Sequence, residues 1–598
     1  MHPTSLHPAP SPGLVATATV VTGPGLGAAR HGAPTIGQMD PIAELADRYW
    51  TFRHRTDALT ALRRGDPTHL EEMEDLTVEG VEQRRAQLEG YAAQADALPP
   101  DTPHASDLRD LIVFSARAEA ALRGLGDDVA WVNHEVGLHV LLLTFLPRFP
   151  LVTPDDGRRF VTKLRRTAHM IDGLTDRVVR RARQGVTPIR LAVTRTITDL
   201  EHQLATPLHR DPLVTRPAPE RSSEREADRF REASAEVVGR RVRPAIARLR
   251  DALATRVLPV ARPDDRPGLL HLPEGADAYR RMVWAHTSTD LDPDQIHQIG
   301  LEQVERLEQE YREVAGPLLG TTAVGEIYAR LRDDPELHYR DGATLVADAT
   351  AALRRAVEAA PSWFRRIPRS PCDAVETPRG ALAFYRYDQV HRRGMFFFNT
   401  ADPTSWGTFQ LEAVTFHEGV PGHHFQIARA EEDHRLHPLQ RRLYIAAFNE
   451  GWALYTERLA DEMGLYSSEL QRVGMLAADS MRACRLVVDT GMHALGWSRD
   501  RAITYMIAHT PLSRRTVEGE IDRYVANPGQ ALGYMIGRLE IERMRAETAR
   551  RLGDRFDPAA FHETVLGAGT IPLPTLERRL GELGGAGPPL SGPGPDGS

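Results

Sequence analysis

Lysine is almost missing from this chain: of 74 basic residues in 598, Lys163 is the only lysine. Arginine carries the remaining positive charge, as codon bias in a genome rich in G and C would give, and Schiff-base chemistry is left with little material. Cysteine is nearly as scarce. Cys372 and Cys484 are too few and too far apart for a disulfide framework or a zinc ribbon, so a reducing, cytoplasmic setting is expected. No apolar run approaches the about 20 residues needed to span a bilayer. The Pro-, Gly-, Ala- and Val-rich stretch 10–29 has no basic segment ahead of it and is broken by Pro and Gly, so it does not read as an export signal. An excess of positive charge is lacking as well. The net charge is −8, which gives no reason to expect nucleic acid as a partner.

What is present suits a large enzyme. Hydrophobic residues make up 41% of a chain longer than one core normally serves, so two lobes are expected. Leu108 to Leu122, Arg158 to Arg183 and Glu224 to Val257 space apolar residues by three and four between arginines and acids, the pattern of amphipathic helices. A mainly α architecture follows. The arginine-rich helices carry interspersed carboxylates, which reads as a solvated face rather than a surface for an acidic partner. Pro263, Pro267 and Pro273 mark the segment from Arg262 to Gly275 as a boundary, giving a helical N-terminal lobe at 39–270 and a metal-binding region at 271–583. Residues 1–38 are expected to be a disordered extension, with Met39 an alternative start of translation, and the Gly/Pro-dominated tail 584–598 to be unstructured. One strand is expected, at Gly394 to Thr400. Its position just before the motif described next suits either an exposed edge that pairs with an extended peptide or a buried strand, and three consecutive phenylalanines fit the second equally well.

Residues 417–424 read His-Glu-Gly-Val-Pro-Gly-His-His. Two imidazoles and a carboxylate are the donor set of an open zinc site, and in the common His-Glu-x-x-His motif both histidines lie one helical turn apart while the Glu reaches the water. Here Pro421 stands where the second histidine would be. Proline clashes with the carbonyl four residues back, that of His417, so a bulge or break is expected, with Gly419 and Gly422 to tolerate it. On a straight helix at about 100° per residue His424 returns to the His417 face and His423 lies roughly 120° away. A two-residue bulge would instead bring His423 into place, and because Pro421 excludes the straight helix, His423 is the preferred second ligand.

Downstream, Asn449-Glu450-Gly451-Trp452-Ala453 resembles the segment that carries the glutamate ligand in gluzincin aminopeptidases. Taken with His-Glu-x-x-Pro-Gly-His-His it resembles the DUF885 family, as do Asp489 to Trp497, Arg523-Tyr524 with Pro528 to Tyr534, and the start at Met39 to Trp50. The resemblance spans roughly residues 39–580. It implies a multi-helical, zincin-like fold with a small sheet beside the active-site helix, one zinc per chain on His417, His423 and Glu450, and Glu457 as an outer carboxylate orienting a histidine. It also implies a Tyr or His to meet the oxyanion, for which Tyr534 and His493 are the candidates. His493 is read alternatively as a structural histidine bonded to Asp489, and Tyr534 as a packed aromatic.

The chemistry these residues suit is hydrolysis of an amide by metal-activated water, with Glu418 as general base and then acid. Arg523 and Arg482 could grip a substrate carboxylate, which would favour carboxypeptidase or dipeptidase action on short peptides. Two other readings are carried forward: an enzyme acting on a small metabolite in a specialised biosynthetic pathway, and a non-catalytic metal scaffold. Glu418 counts against the scaffold, which has no use for a base. Iron, cobalt or manganese would also suit the donors.

Overall fold

Apolar residues spaced by three and four leave each helix one face to bury, and the computed structural model is accordingly mainly helical with one small sheet. It describes residues 40–63, 68–378 and 382–584; the expected extension 1–38 and the tail from 585 on lie outside them.

The sequence-expected helices form with identifiable starts and stops. Helices α1 (Pro41–Thr56), α2 (Pro103–Leu122) and α3 (Pro154–Arg183) precede a helical run over 224–257 that passes through two π-helical turns, Val238–Val242 and Leu253–Val257. In α3 the Thr153 side chain accepts the Asp156 N–H while Asp156 accepts that of Thr153, and Pro154 needs no donor in the first turn. Arg180, Arg181 and Arg183 place positive charge in its last turn, where the helix dipole favours it.

Packing does not follow chain order. Phe160, Leu164, Leu174 and Ile246 share a cluster built only from residues 59–261. By contrast Tyr49 of α1 and Leu111 of α2 belong to the cluster that holds Phe416, Phe448 and Trp452, close to the His-Glu motif. The proline-rich segment 262–275 is tied down rather than loose. Arg262, 8% exposed, donates to the carbonyls of Thr187, Pro267 and Gly268.

Next come α4 (Gly275–Thr287), α5 (Pro293–Leu319) and the sheet of β1 (Cys372–Thr377), β2 (Ala383–Asp388) and β3 (Arg393–Asn399). The strand order is β1-β3-β2, with β3 parallel to β1 and antiparallel to β2. The edge reading of Gly394 to Thr400 is therefore corrected. Phe397 pairs with Val375 on one side and Phe384 on the other, so the main-chain groups of β3 are committed in both directions. The physical cause is alternation: Phe396 and Phe398 turn inward, where Phe398 packs on Trp406, while Phe397 stacks on Phe384 across the sheet.

Among the helices that follow the sheet are α6 (Leu411–Glu418), α7 (His423–Glu432), α8 (Ala446–Glu462), α9 (Glu469–His493), α10 (Arg514–Ala526) and α11 (Leu532–Leu552). Helices α8 and α11 approach until their backbones touch. A Cβ on Gly451 would lie 2.6 Å from Gly537 Cα, and one on Gly537 would lie 1.9 Å from the Ala447 carbonyl oxygen. That contact sets α11, which carries Tyr534, against α8, which carries Glu450.

Candidate metal centre

The His-Glu motif lies where one helix ends and another begins. Helix α6 stops at Glu418, α7 starts at His423, and Gly419 to Gly422 link them through a cis Val420–Pro421 bond. Only glycine fits at 422, because a Cβ there would lie 2.0 Å from the His417 carbonyl oxygen. The indole of Trp452, on α8, donates to the Pro421 carbonyl at 3.0 Å and fixes the link against the helix that carries Glu450.

This break sends the two later histidines in opposite directions. His423 Nε2 comes within 3.2 Å of Glu450 Oε2, and His417 Nε2 lies 3.7 Å from the same oxygen. His424 turns away, one ring nitrogen meeting the Tyr385 hydroxyl and the other the Ser370 carbonyl, both at 3.0 Å. Burial pushes the His424 imidazole down to about 4, against the pull of that carbonyl. Donor atoms of His417, His423 and Glu450 all lie within 4.8 Å of one another.

These separations suit a metal ion. Zinc at about 2.0–2.2 Å from each ligand in tetrahedral geometry sets donor atoms about 3.3–3.6 Å apart, the range that 3.2 and 3.7 Å bracket. Glu457 Oε1 accepts from His417 Nδ1 at 2.7 Å, which aims Nε2 at the centre as a carboxylate behind a ligating imidazole does. Burial works against the charged His417 imidazolium, but the Glu450 and Glu457 carboxylates outweigh it and push the ring up to about 9. Burial likewise opposes ionised Glu450, yet His423 and His417 hold its carboxyl well below the usual range. Glu418, 9% exposed, has no hydrogen-bond or ion-pair partner among the described residues.

A directed chain of hydrogen bonds reaches Glu450 from its other side. Arg523 donates to Gln530 Oε1 at 2.8 Å, Gln530 Nε2 to the Tyr444 hydroxyl at 3.1 Å, and that hydroxyl to Glu450 Oε1 at 2.8 Å. Asp489 anchors the loop that presents Gln530, accepting the Gly529 N–H at 3.0 Å and the Tyr279 hydroxyl at 2.6 Å. Sequence reasoning quoted Gln530 without a role and missed Tyr444, which carries no motif; only its place in the fold reveals it.

Of the expected substrate-facing residues, His493 is a correction. It is fully buried, its Nδ1 accepts the Leu269 N–H at 3.2 Å, and its Nε2 faces the Tyr524 carbonyl at 3.1 Å. Burial pushes it down to about 3, so it is a neutral packing residue with no nitrogen left for a substrate. Nor does it bond Asp489, whose partners are those just named. Tyr534 stands against Arg485, whose guanidinium lies 4.4 Å from its ring centroid, and burial, with a smaller contribution from the Glu450 carboxylate, raises its phenol. Arg523 is a quarter exposed, paired with Glu520, and linked to Glu450 through the chain above rather than by contact. Arg482 stands 3.9 Å from Glu457.

A family model described as "Bacterial protein of unknown function (DUF885)" matches residues 59–580. No curated protein matches the chain. Among solved structures, a candidate lipoprotein of Colwellia psychrerythraea is similar at 26% identity with a TM-score of 0.83, over 90% of this chain and 98% of that one. A candidate lipoprotein of unknown function from Shewanella oneidensis shares the fold at 17% identity with a TM-score of 0.71, over 90% of this chain and 99% of that one.

Proposed function

The chain belongs to the DUF885 family, and from that membership together with the donor geometry we propose that it is a zinc-dependent hydrolase, with a gluzincin-like site, that cleaves amide bonds of short peptides. The observation that carries this reading is the convergence of His417, His423 and Glu450 beside a carboxylate, Glu418, that no other side chain among the described residues uses. One zinc ion on those three ligands would act as a Lewis acid and lower the pKa of water to about 7. Glu418 takes the proton of the attacking water and returns it to the leaving amine as the C–N bond breaks. Glu457 holds the His417 tautomer, and the Arg523–Gln530–Tyr444 chain holds the Glu450 carboxylate in place. Of the two residues expected to meet negative charge on the substrate, His493 is committed to the main chain, which leaves the Tyr534 hydroxyl to face a substrate oxygen. The zincin-like architecture is part of this proposal, resting on the helix break that presents both histidines.

A second reading, an enzyme for a small metabolite, is favoured by the interior position of β3, which removes one surface for pairing with a peptide. We place the protein in the cytoplasm on its two free thiols; the Colwellia and Shewanella proteins, described as candidate lipoproteins, favour an envelope location, and cell fractionation separates the two.

The test combines elemental analysis of wild type and Glu450→Ala with hydrolysis of a dipeptide and tripeptide library by wild type and Glu418→Gln. About one zinc per chain, lost with Glu450, and cleavage abolished in Glu418→Gln are the expected results. Zinc without any peptide cleavage shifts the assignment to the metabolite reading, and a metal-free wild type refutes the centre.

A further inference from the structure

Positive charge gathers on one side of the metal centre. Arg482 and Arg485 from α9 lie against the Tyr534 ring, their guanidinium groups 5.8 Å and 4.4 Å from its centroid, and Arg523 from α10 is near enough to act on its phenol. Two carboxylates answer these three cations. Glu520 is shared between Arg485 at 2.9 Å and Arg523 at 2.8 Å, and Glu457, 3.9 Å from Arg482, is also held by His417. Within this ion-pair group one guanidinium charge is left over, and Glu450, the other carboxylate that acts on the Tyr534 phenol, is paired with His417 and His423 instead, so a further anion beside the guanidinium groups is favoured.

Access singles out the groups that would meet that anion. The Arg485 side chain is 6% exposed and Arg482 14%, whereas Arg523 is 25% exposed. The Tyr534 hydroxyl has no hydrogen-bond partner among the described residues, although its ring is held by cations and Glu450 is close enough to act on its phenol. Tyr534 is half-buried and its hydroxyl oxygen is open to solvent, so an incoming ligand can provide that partner. A carboxylate accepting from Tyr534 and Arg523 would supply it and balance the charge.

Resting on the hydrolase reading, we propose that the substrate bears a free main-chain carboxylate seated on the Tyr534 hydroxyl and the Arg523 guanidinium, so that the enzyme acts at the C-terminal end of a short peptide. Tyr534 on this view is a specificity residue rather than the donor to the oxyanion. Removing its hydroxyl leaves no other group among the described residues unpaired.

The experiment compares the metal-loaded wild type with Tyr534→Phe on matched tripeptides that have a free or an amidated C-terminus, resolving kcat and KM. Wild type should prefer the free acid by about tenfold or more in KM, and Tyr534→Phe should bring the acid-to-amide ratio close to one. A fall in kcat of the same size for acid and amide would place Tyr534 on the reacting carbonyl and overturn the proposal. Equal use of acid and amide by wild type would overturn it while leaving the hydrolase reading intact. Should neither peptide be cleaved, the hydrolase reading fails separately. Calorimetric binding of N-acetyl-Ala-Ala against its amide then still decides the carboxylate site, because tighter binding of the acid that vanishes in Tyr534→Phe supports it and equal binding refutes it.

Discussion

Asp489 shows how a single residue couples the centre to pH. Burial raises its carboxyl to about 7, against the hydrogen bonds from Tyr279 and the Gly529 N–H. Because the folded-state value lies above the unfolded one, folding holds the proton that the unfolded chain releases. The group therefore costs nothing below about 4 and destabilises progressively as pH rises towards 7. Asn at this position keeps an oxygen for both donors and cannot ionise. Asp489→Asn should gain on wild type by on the order of a few kcal/mol between pH 4 and 7.5, read from thermal melts at both ends; a difference that stays constant with pH would show that Asp489 remains ionised throughout.

Among the elements, the link between α6 and α7 decides which histidine serves the centre. Gly422 sits where a Cβ would meet the carbonyl oxygens of His417 at 2.0 Å and Phe416 at 2.4 Å, both rigid backbone groups. Gly422→Ala should therefore displace the start of α7 with His423 on it and weaken metal binding by at least about tenfold, together with a lower Tm. Gly325, in the helix Val324–Asp333 and with nothing within 4 Å of its Cβ position, provides the control: Gly325→Ala should leave metal affinity alone. Titration of metal-free protein with zinc measures both.

For the whole molecule, metal and fold should stabilise one another, because the ligands come from three helices that only the folded chain brings together. At a free zinc concentration a thousand times the dissociation constant the linkage is worth about 4 kcal/mol, lost on chelation. It should also depend on pH. His417, pushed up to about 9, carries a proton at neutral pH in the metal-free protein, so metal must displace that proton and affinity rises with pH. The metal-free fold also loses the His417 contribution as pH climbs from about 6.5 through 9. Both effects act in one direction, and the zinc-dependent increase in Tm should be larger at pH 8 than at pH 6; the opposite order would mean that His417 is neutral without metal.

Helical periodicity and the local chemistry of a proline among glycines were enough, from sequence, to give the mainly α class, the helices at 108–122, 158–183 and 224–257, the break after Glu418, and His423 ahead of His424. Both signals depend on residues a few positions apart, and backbone sterics act over that same distance. The strand at Gly394 was legible as a strand but not as the middle one, since its neighbours in the sheet are chosen by pairing with β1 and β2 rather than by its own phenylalanines. His493 looked chemical in its motif and proved to be a packing residue, because a histidine's role depends on which carbonyls and N–H groups surround it. Tyr444 and Gln530 gained a role only when α8 and the loop before α11 met, through contacts between residues 80 positions apart and more. Sequence by itself determined the candidate donors and the helix break that turns them; tertiary structure alone decided which side chains orient them and how the arginines of α9 and α10 are grouped, because those depend on distances between helices that no local pattern encodes.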